Sequence, residues 1–173
     1  MNASAERQHS FTWSDPSALA AAARRMDGLS FLQAGRDGTI PMPPIFDLFE
    51  MRFDDVAEGR VVFSMPVREY QYNPIGTVHG GVMATILDSV AACCIHTTLS
   101  AEEMYTTLEL KINYVCGVTA KLSRMRAEGN VIHRGRRMAT SEGKLYGDDG
   151  KLYAHASSTC MIMPVSVSEA TKP

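Results

Sequence analysis

An α+β fold, with one antiparallel sheet wrapped around a single central helix, is what this 173-residue sequence predicts. Three observations carry the expectation. Residues 80–98 form the longest helix-like run in the chain, and it is mostly apolar. Ahead of it, Val61, Phe63, Met65 and Val67 alternate with more polar neighbours, the mark of a half-buried strand. Behind it come four more strand-like segments joined by short turns, read as a meander.

Taken in chain order, residues 1–15 are polar and expected to fray. Pro16-Ser17 followed by Ala18 to Met26 reads as a short helix stopped near Gly28. Gly35 to Pro44 reads as a Gly/Pro linker, and Pro44 to Phe49 as one helical turn before the sheet. Residues 70–79 form a loop with Asn73-Pro74 and Gly76 as breakers, and it leads directly into the long helix. The later strands are Leu108 to Tyr114, Leu122 to His133, Arg136 to Tyr146 and Leu152 to Ile162. Small residues on the last of them, Ala154, Ala156 and Ser158, suit close approach of the helix. The expected organisation is an extension over 1–43, a folded domain over 44–165 and a loose tail over 166–173.

Composition narrows the function classes. Hydrophobic residues make up 45% and charged residues 21%, with a net charge of −2, so nothing points to nucleic acid or an anionic membrane. The longest apolar run, Val82 to Leu99, contains Asp88 and His96, which argues against a membrane span. The N-terminus lacks the basic-then-apolar pattern of a secretory signal. Cys93, Cys94, Cys116 and Cys160 show no Cys-x-x-Cys spacing, so free thiols and a reducing cytoplasm are expected. No set of His, Cys and Asp has metal-ligand spacing.

The chemistry is expected around Asp88, the only fully charged side chain between Glu69 and Glu102. A carboxylate in apolar surroundings is costly unless paired or hydrogen-bonded. On a helical wheel Val82, Met83, Ile86, Leu87, Val90, Cys93 and Cys94 fill one apolar arc. Asp88 lies on the other side among Ala84, Ala92 and Ile95. It serves either to hold a nearby donor or to act as a base. Gly80-Gly81 opens the helix, where unpaired N–H groups favour a developing negative oxygen, so a carbonyl on the Gly80 N–H would be polarised. His79 is read mainly as a structural hydrogen-bonder. Asn73 either orients a water or carbonyl or builds an Asn-Pro turn. Thr107 opens a strand and is able to reach Asp88. Arg134, Arg136 and Arg137 around Gly135 make a basic turn that suits a phosphate-bearing ligand, or simply a solvated hairpin. The glycines lack the Lys and Ser/Thr of a P-loop and the spacing of a dinucleotide fingerprint. Ser89, Cys93 and Cys94 fit no nucleophile motif.

Asn73-Pro-x-Gly-Thr-x-His79-Gly80-Gly81 followed by Asp88 resembles the hotdog-fold acyl-CoA thioesterases, in particular the phenylacetate-degradation type. Weaker likenesses are Thr107 to Tyr114, His133 to Arg137 and Gly150 to Ala154, so the resemblance spans roughly residues 44–163. It implies a curved antiparallel sheet around a long helix, and homodimers or tetramers of two dimers with sites at the dimer interface. It implies Asp88 as general base or nucleophile, Gly80 as backbone donor to the thioester carbonyl, and Asn73 and His79 as positioners. Thr107 stands beside the carboxylate. It further implies that Asp88 and Thr107 face Asn73 and Gly80 of the other subunit. Gly81, Tyr114, His133, Gly135, Arg136 and Arg137 fall in regions that touch coenzyme A. Coenzyme A is then part of the substrate, with no separate cofactor and no metal. Two alternatives remain on the residues: a non-catalytic acyl-CoA sensor on the same fold, and a hotdog-fold hydratase or dehydratase, which would want a differently spaced Asp/His pair.

Overall fold

The computed structural model describes residues 6–165. The tail expected over 166–173 lies outside the described residues. The elements run α1 (Pro16–Ala23), α2 (Gly28–Arg36), α3 (Pro44–Phe49), β1 (Arg52–Ala57), β2 (Arg60–Pro66), α4 (Gly80–His96), β3 (Glu103–Tyr114), β4 (Arg124–Arg134), β5 (Met138–Gly147) and β6 (Leu152–Pro164). The six strands form one sheet in the order β1-β2-β4-β5-β6-β3, with every neighbouring pair antiparallel. The fold is therefore α+β, with α4 on the concave side of the sheet.

Only β4, β5 and β6 form a meander; β3 pairs with β6 at the far edge, not with β4. The reason lies in the link over 115–123, which crosses the N-terminal end of α4. It is pinned there by Val78 N–H to Val118 O at 2.8 Å and Val67 N–H to Ser123 O at 3.0 Å. Two elements escape a reading of the sequence. β1 is an edge strand in which half the residues are charged, and a bulge between Phe53 and Asp55 breaks its alternation. α2 begins at a glycine that looks like a stop. Instead, Asp27 caps it, accepting from the Ser30 N–H at 2.9 Å, and Leu32 on its inner face is buried. β2, expected to be half-buried, has Val61 to Met65 buried on both faces.

Gly28 is a docking point. Its N–H donates to Leu99 O at 2.9 Å, and a Cβ there would lie 1.7 Å from His96 O, so only glycine lets α2 touch the end of α4. Phe63 of β2 packs edge-on to Phe46 of α3 and Phe53 of β1, with ring centroids 5.3 and 4.5 Å away. Residues 6–15, expected to fray, have no regular structure but are held down: Arg7 pairs with Glu69 and the His9 ring stacks on Tyr70 at 3.9 Å.

The helix meets the sheet at Gly129 of β4 and Gly143 of β5, which are direct cross-strand partners. A Cβ at Gly129 would lie 2.2 Å from Val90 O, and one at Gly143 would lie 3.2 Å from a Leu87 methyl. These two glycines, rather than the alanines of β6 singled out from the sequence, mark the closest approach. Ile86, Leu87, Val90 and Ile95 are then fully buried against Phe63, Met125, Ala127, Ala139 and Leu145. Gly129→Ala forces the helix off its seat. The expected outcome is a loss of about 1–3 kcal/mol in urea unfolding, the usual cost of overpacking a close-packed core.

Candidate functional site

The loop before α4 is built by its own side chains. Asn73 Oδ1 accepts from the N–H groups of Ile75 and Thr77, both at 3.1 Å, and its amide nitrogen donates to Thr77 Oγ1 at 2.8 Å. Gly76 takes a positive φ of 77°, which glycine adopts at no steric cost. Of the two roles open to Asn73, the structure supports the turn-builder. The loop is fixed further by His79 N–H to Gln71 O at 2.8 Å and by the Tyr72–Val78 bridge.

His79 is the N-cap of α4: its Nδ1 accepts from the Gly81 N–H at 2.9 Å. An accepting Nδ1 leaves the ring proton on Nε2, which points this histidine's donor outward. The cap also consumes the Gly81 N–H. The Gly80 N–H, by contrast, has no acceptor among the described residues. It is the free donor at the positive end of a 17-residue helix. The Tyr114 ring lies against Gly80, and its hydroxyl donates to Gly80 O at 3.0 Å, holding the Gly80–Gly81 peptide that follows the free donor.

Asp88 lies two turns on, half-buried beneath β3, where Thr107 Oγ1 donates to its Oδ1 at 3.2 Å. One carboxylate oxygen is thus oriented by a neutral donor, and no cation pairs with Asp88 among the described residues. Ser89 does not compete for its role, since its hydroxyl donates to Thr85 O within the helix at 2.8 Å. Farther along, the His96 ring is packed between Phe31 and Tyr105, at centroid distances of 5.4 and 5.1 Å. Burial lowers the His96 pKa to about 4, against a smaller opposing pull from Asp27. Burial likewise pushes the Cys93 and Cys94 thiols up to about 12, so neither is a ready nucleophile.

The basic turn stands at the other end of the sheet. Met138 pairs with Met161, and Met161 with Thr106, whereas Tyr114 pairs with Ala154. Eight residues of strand, about 27 Å, separate Thr106 from Tyr114. Within one protomer, therefore, Tyr114 stands with His79, Gly80 and Gly81, while His133, Gly135, Arg136 and Arg137 lie far from them. Arg134 is committed to Glu103 at 2.6 Å; Arg136 and Arg137 are exposed and have no carboxylate partner among the described residues. No group of three His, Cys, Asp or Glu side chains among the described residues could hold a metal ion. Among the same residues, no helix is long and apolar enough to cross a membrane.

The layered sheet and long helix define a hotdog fold, with its polar groups strung along α4 and the edge strand β3. The model of the thioesterase superfamily matches residues 75–154, the stretch holding Gly80, Asp88, Thr107 and the basic turn. Over that stretch the chain is similar to members of that superfamily, and its fold is the hotdog fold. It is 23% identical over 114 residues to the 1,4-dihydroxy-2-naphthoyl-CoA hydrolase of Escherichia coli K12, covering 66% of this chain and 82% of the relative. The structure of a point mutant of the thioesterase PA1618 from Pseudomonas aeruginosa superposes with a TM-score of 0.66 at 27% identity, covering 79% of this chain and 94% of that one. A phenylacetic acid degradation-related protein of Ralstonia eutropha JMP134 superposes with a TM-score of 0.69, also at 27% identity, covering 75% and 97%.

A histidine kept neutral by burial makes stability depend on pH. The unfolded chain titrates His96 near its ordinary 6.5 and the folded chain near 4, so its stabilising effect is complete above pH 6.5 and is lost as pH falls toward 4. Urea unfolding of wild type and His96→Phe at pH 7 and pH 4.5 isolates this, because the carboxylates titrate alike in both. Wild type should lose on the order of 2 kcal/mol more than the variant over that interval.

Proposed function

We propose that this protein is an acyl-CoA thioesterase that hydrolyses the thioester to a free acid and coenzyme A, at a site shared between two copies of the chain. The observation that carries the reading is a single helix presenting a free N–H at Gly80 and a half-buried, Thr107-held carboxylate at Asp88. Thioester cleavage needs both: a donor for the carbonyl oxygen as it gains charge, and a carboxylate that deprotonates the attacking water or attacks the carbon itself. The carbonyl carbon then expels the coenzyme A thiolate, which takes up a proton. Similarity to the thioesterase superfamily model and to a named CoA-ester hydrolase supports the same reading.

Geometry favours a site made by two copies. Gly80 and Asp88 are eight residues apart on one helix, about 12 Å of rise, too far to act on one carbonyl. β3 is an edge strand, and Met104 and Leu108 on it are 43% and 53% exposed. An open, partly apolar edge invites pairing with a second copy. Two-fold antiparallel pairing of β3 with its copy would bring the Gly80 and Tyr114 end of one protomer against the Asp88 and Thr107 region of the other. The same pairing brings His133, Gly135, Arg136 and Arg137 toward that end, where Arg136 and Arg137 suit the phosphates of coenzyme A. In this reading His79 caps the donor helix and Asn73 holds its loop, so both position rather than react, and Gly81 supplies the cap's anchor. Homodimers, or tetramers of two dimers, are the working forms. Four cysteines, none of them disulfide-bonded, suit a cytoplasmic location.

Hydrolysis of an acyl-CoA panel, followed by thiol release, tests the activity. Asp88→Asn should lose about 10²–10⁴-fold in kcat; full retention, or no turnover by wild type, defeats the reading. Binding without turnover would instead favour an acyl-CoA sensor, and a change in enoyl-CoA absorbance a hydratase.

Sharing of the site makes a separate prediction. Mixed, refolded Asp88→Asn and Gly80→Val subunits should recover roughly a quarter of wild-type activity, because half the dimers are mixed and each has one intact site. Recovery that stays at the level of the separate variants would place the whole site within one chain.

A further inference from the structure

We propose that the acyl group enters an apolar chamber roofed by the N-terminal extension, so that the enzyme is selective for uncharged acyl groups about the size of one ring or a short chain. This rests on the thioesterase reading above and goes beyond it by naming the substrate class. The chamber has a volume of about 180 Å³. Leu19 of α1, Phe31 of α2, and Ile40 and Met42 of the following linker wall one side, and Cys93 and Tyr105 the other. The extension side lies wholly outside residues 75–154, the stretch that matches the superfamily model.

The chamber is placed to receive a substrate held at Asp88. Tyr105 is two residues from Thr107 on the same face of β3. Cys93 is five residues beyond Asp88 on α4, about 7.5 Å of helix rise. An acyl group whose carbonyl carbon sits between Asp88 and Gly80 of the second copy therefore points its far end toward the chamber. The sequence suggests either Met83, Ile86 and Leu87 or the N-terminal segment as pocket walls. Met83, Ile86 and Leu87 are sealed between helix and sheet, with exposures of 4%, 0% and 0%, and form no part of the chamber, whereas the N-terminal segment lines it.

Chemistry sets what fits. No Asp, Glu, Lys or Arg lines the chamber; burial there favours the neutral forms of both titratable rings, lowering the His96 pKa to about 4 and raising that of Tyr105. A carboxylate-bearing acyl group would lose its hydration there and gain no cationic partner. An apolar cavity of about 150 Å³ is enough to bind benzene, so this one holds a single six-membered ring or a chain of similar volume. Longer groups must displace the roof. Docking of that roof depends on Gly28, whose contact with His96 O leaves no room for a side chain.

The test is kcat/KM over acetyl-, butyryl-, hexanoyl-, decanoyl-, phenylacetyl- and succinyl-CoA for wild type, Leu19→Trp and Leu19→Ala, with thermal melts to confirm folding. Ile40→Trp fills the same space from the linker should Leu19→Trp not fold. Wild type should gain about fourfold per added methylene (~0.8 kcal/mol per buried CH₂) until the chamber is full, decline beyond that, and handle succinyl-CoA poorly. The tryptophan variants should move the optimum to shorter chains, and Leu19→Ala to longer ones. An identical chain-length profile in all folded proteins overturns the chamber and leaves the thioesterase reading standing. If wild type turns over none of the panel, the thioesterase reading falls, and calorimetry with hexanoyl-CoA against coenzyme A decides the chamber. Tighter hexanoyl-CoA binding that is lost on filling the chamber upholds it; equal binding overturns it.

Discussion

The seat of α4 on the Gly129–Gly143 pair is the contact on which the rest of the molecule depends. Two glycines opposite each other on neighbouring strands remove the side chains that would hold a helix at ordinary distance. Val90 and Leu87 fill the space, and the helix lies flat across the sheet. Its long apolar arc is then consumed by the sheet, and the remaining face turns toward β3. That rotation puts Asp88 against Thr107 instead of into water. A helix held farther out would leave the same carboxylate solvated and its oxygens unoriented.

Helix polarity does the complementary work. The positive end of α4 carries the free Gly80 N–H, because His79 takes the next one for its cap, and Tyr114 holds the Gly80 carbonyl on the following peptide. Asn73 contributes by closing its loop on itself, so the donor sits on a fixed support. The donor and the carboxylate are rigidly related but too distant to meet, and the sheet leaves a strand edge unpaired beside the carboxylate. The proposed second copy across β3 would answer both the distance and the open edge. On this reading the incompleteness of a single chain's site and the openness of its sheet are one property.

The N-terminal extension adds a layer that the shared fold does not require. α2 reaches the C-terminal end of α4 through Gly28 and lays Phe31 over His96, so the far end of the helix is roofed by aromatic and aliphatic side chains. Burial there is strong enough to keep an imidazole neutral. The charged part of the site and its apolar end are therefore separated along one helix, with Asp88 nearer the open edge and His96 under the roof.

Much of this was legible in the residues. Alternation fixed five of the six strands and the long helix, because burying a face imposes a period on the sequence. Asp88 stood out since a charge in an apolar run is expensive, and the Gly80-Gly81 entry since a helix start leaves N–H groups unpaired. β1 was hidden by its bulge and charges, and α2 by a glycine whose purpose is close contact. The position of β3 beyond β6 could not be read, because pairing partners are chosen by packing across the whole sheet and not by neighbours in sequence. By itself, then, the sequence determined which segments are regular and which groups are chemically out of place. Only the tertiary structure decided that Asn73 spends its amide on its loop, that Tyr114 and the basic turn lie at opposite ends of the sheet, and that the apolar chamber is built by the extension. The physical reason is that local period and desolvation cost are properties of single segments, whereas hydrogen-bond partners and cavities exist only where distant segments meet.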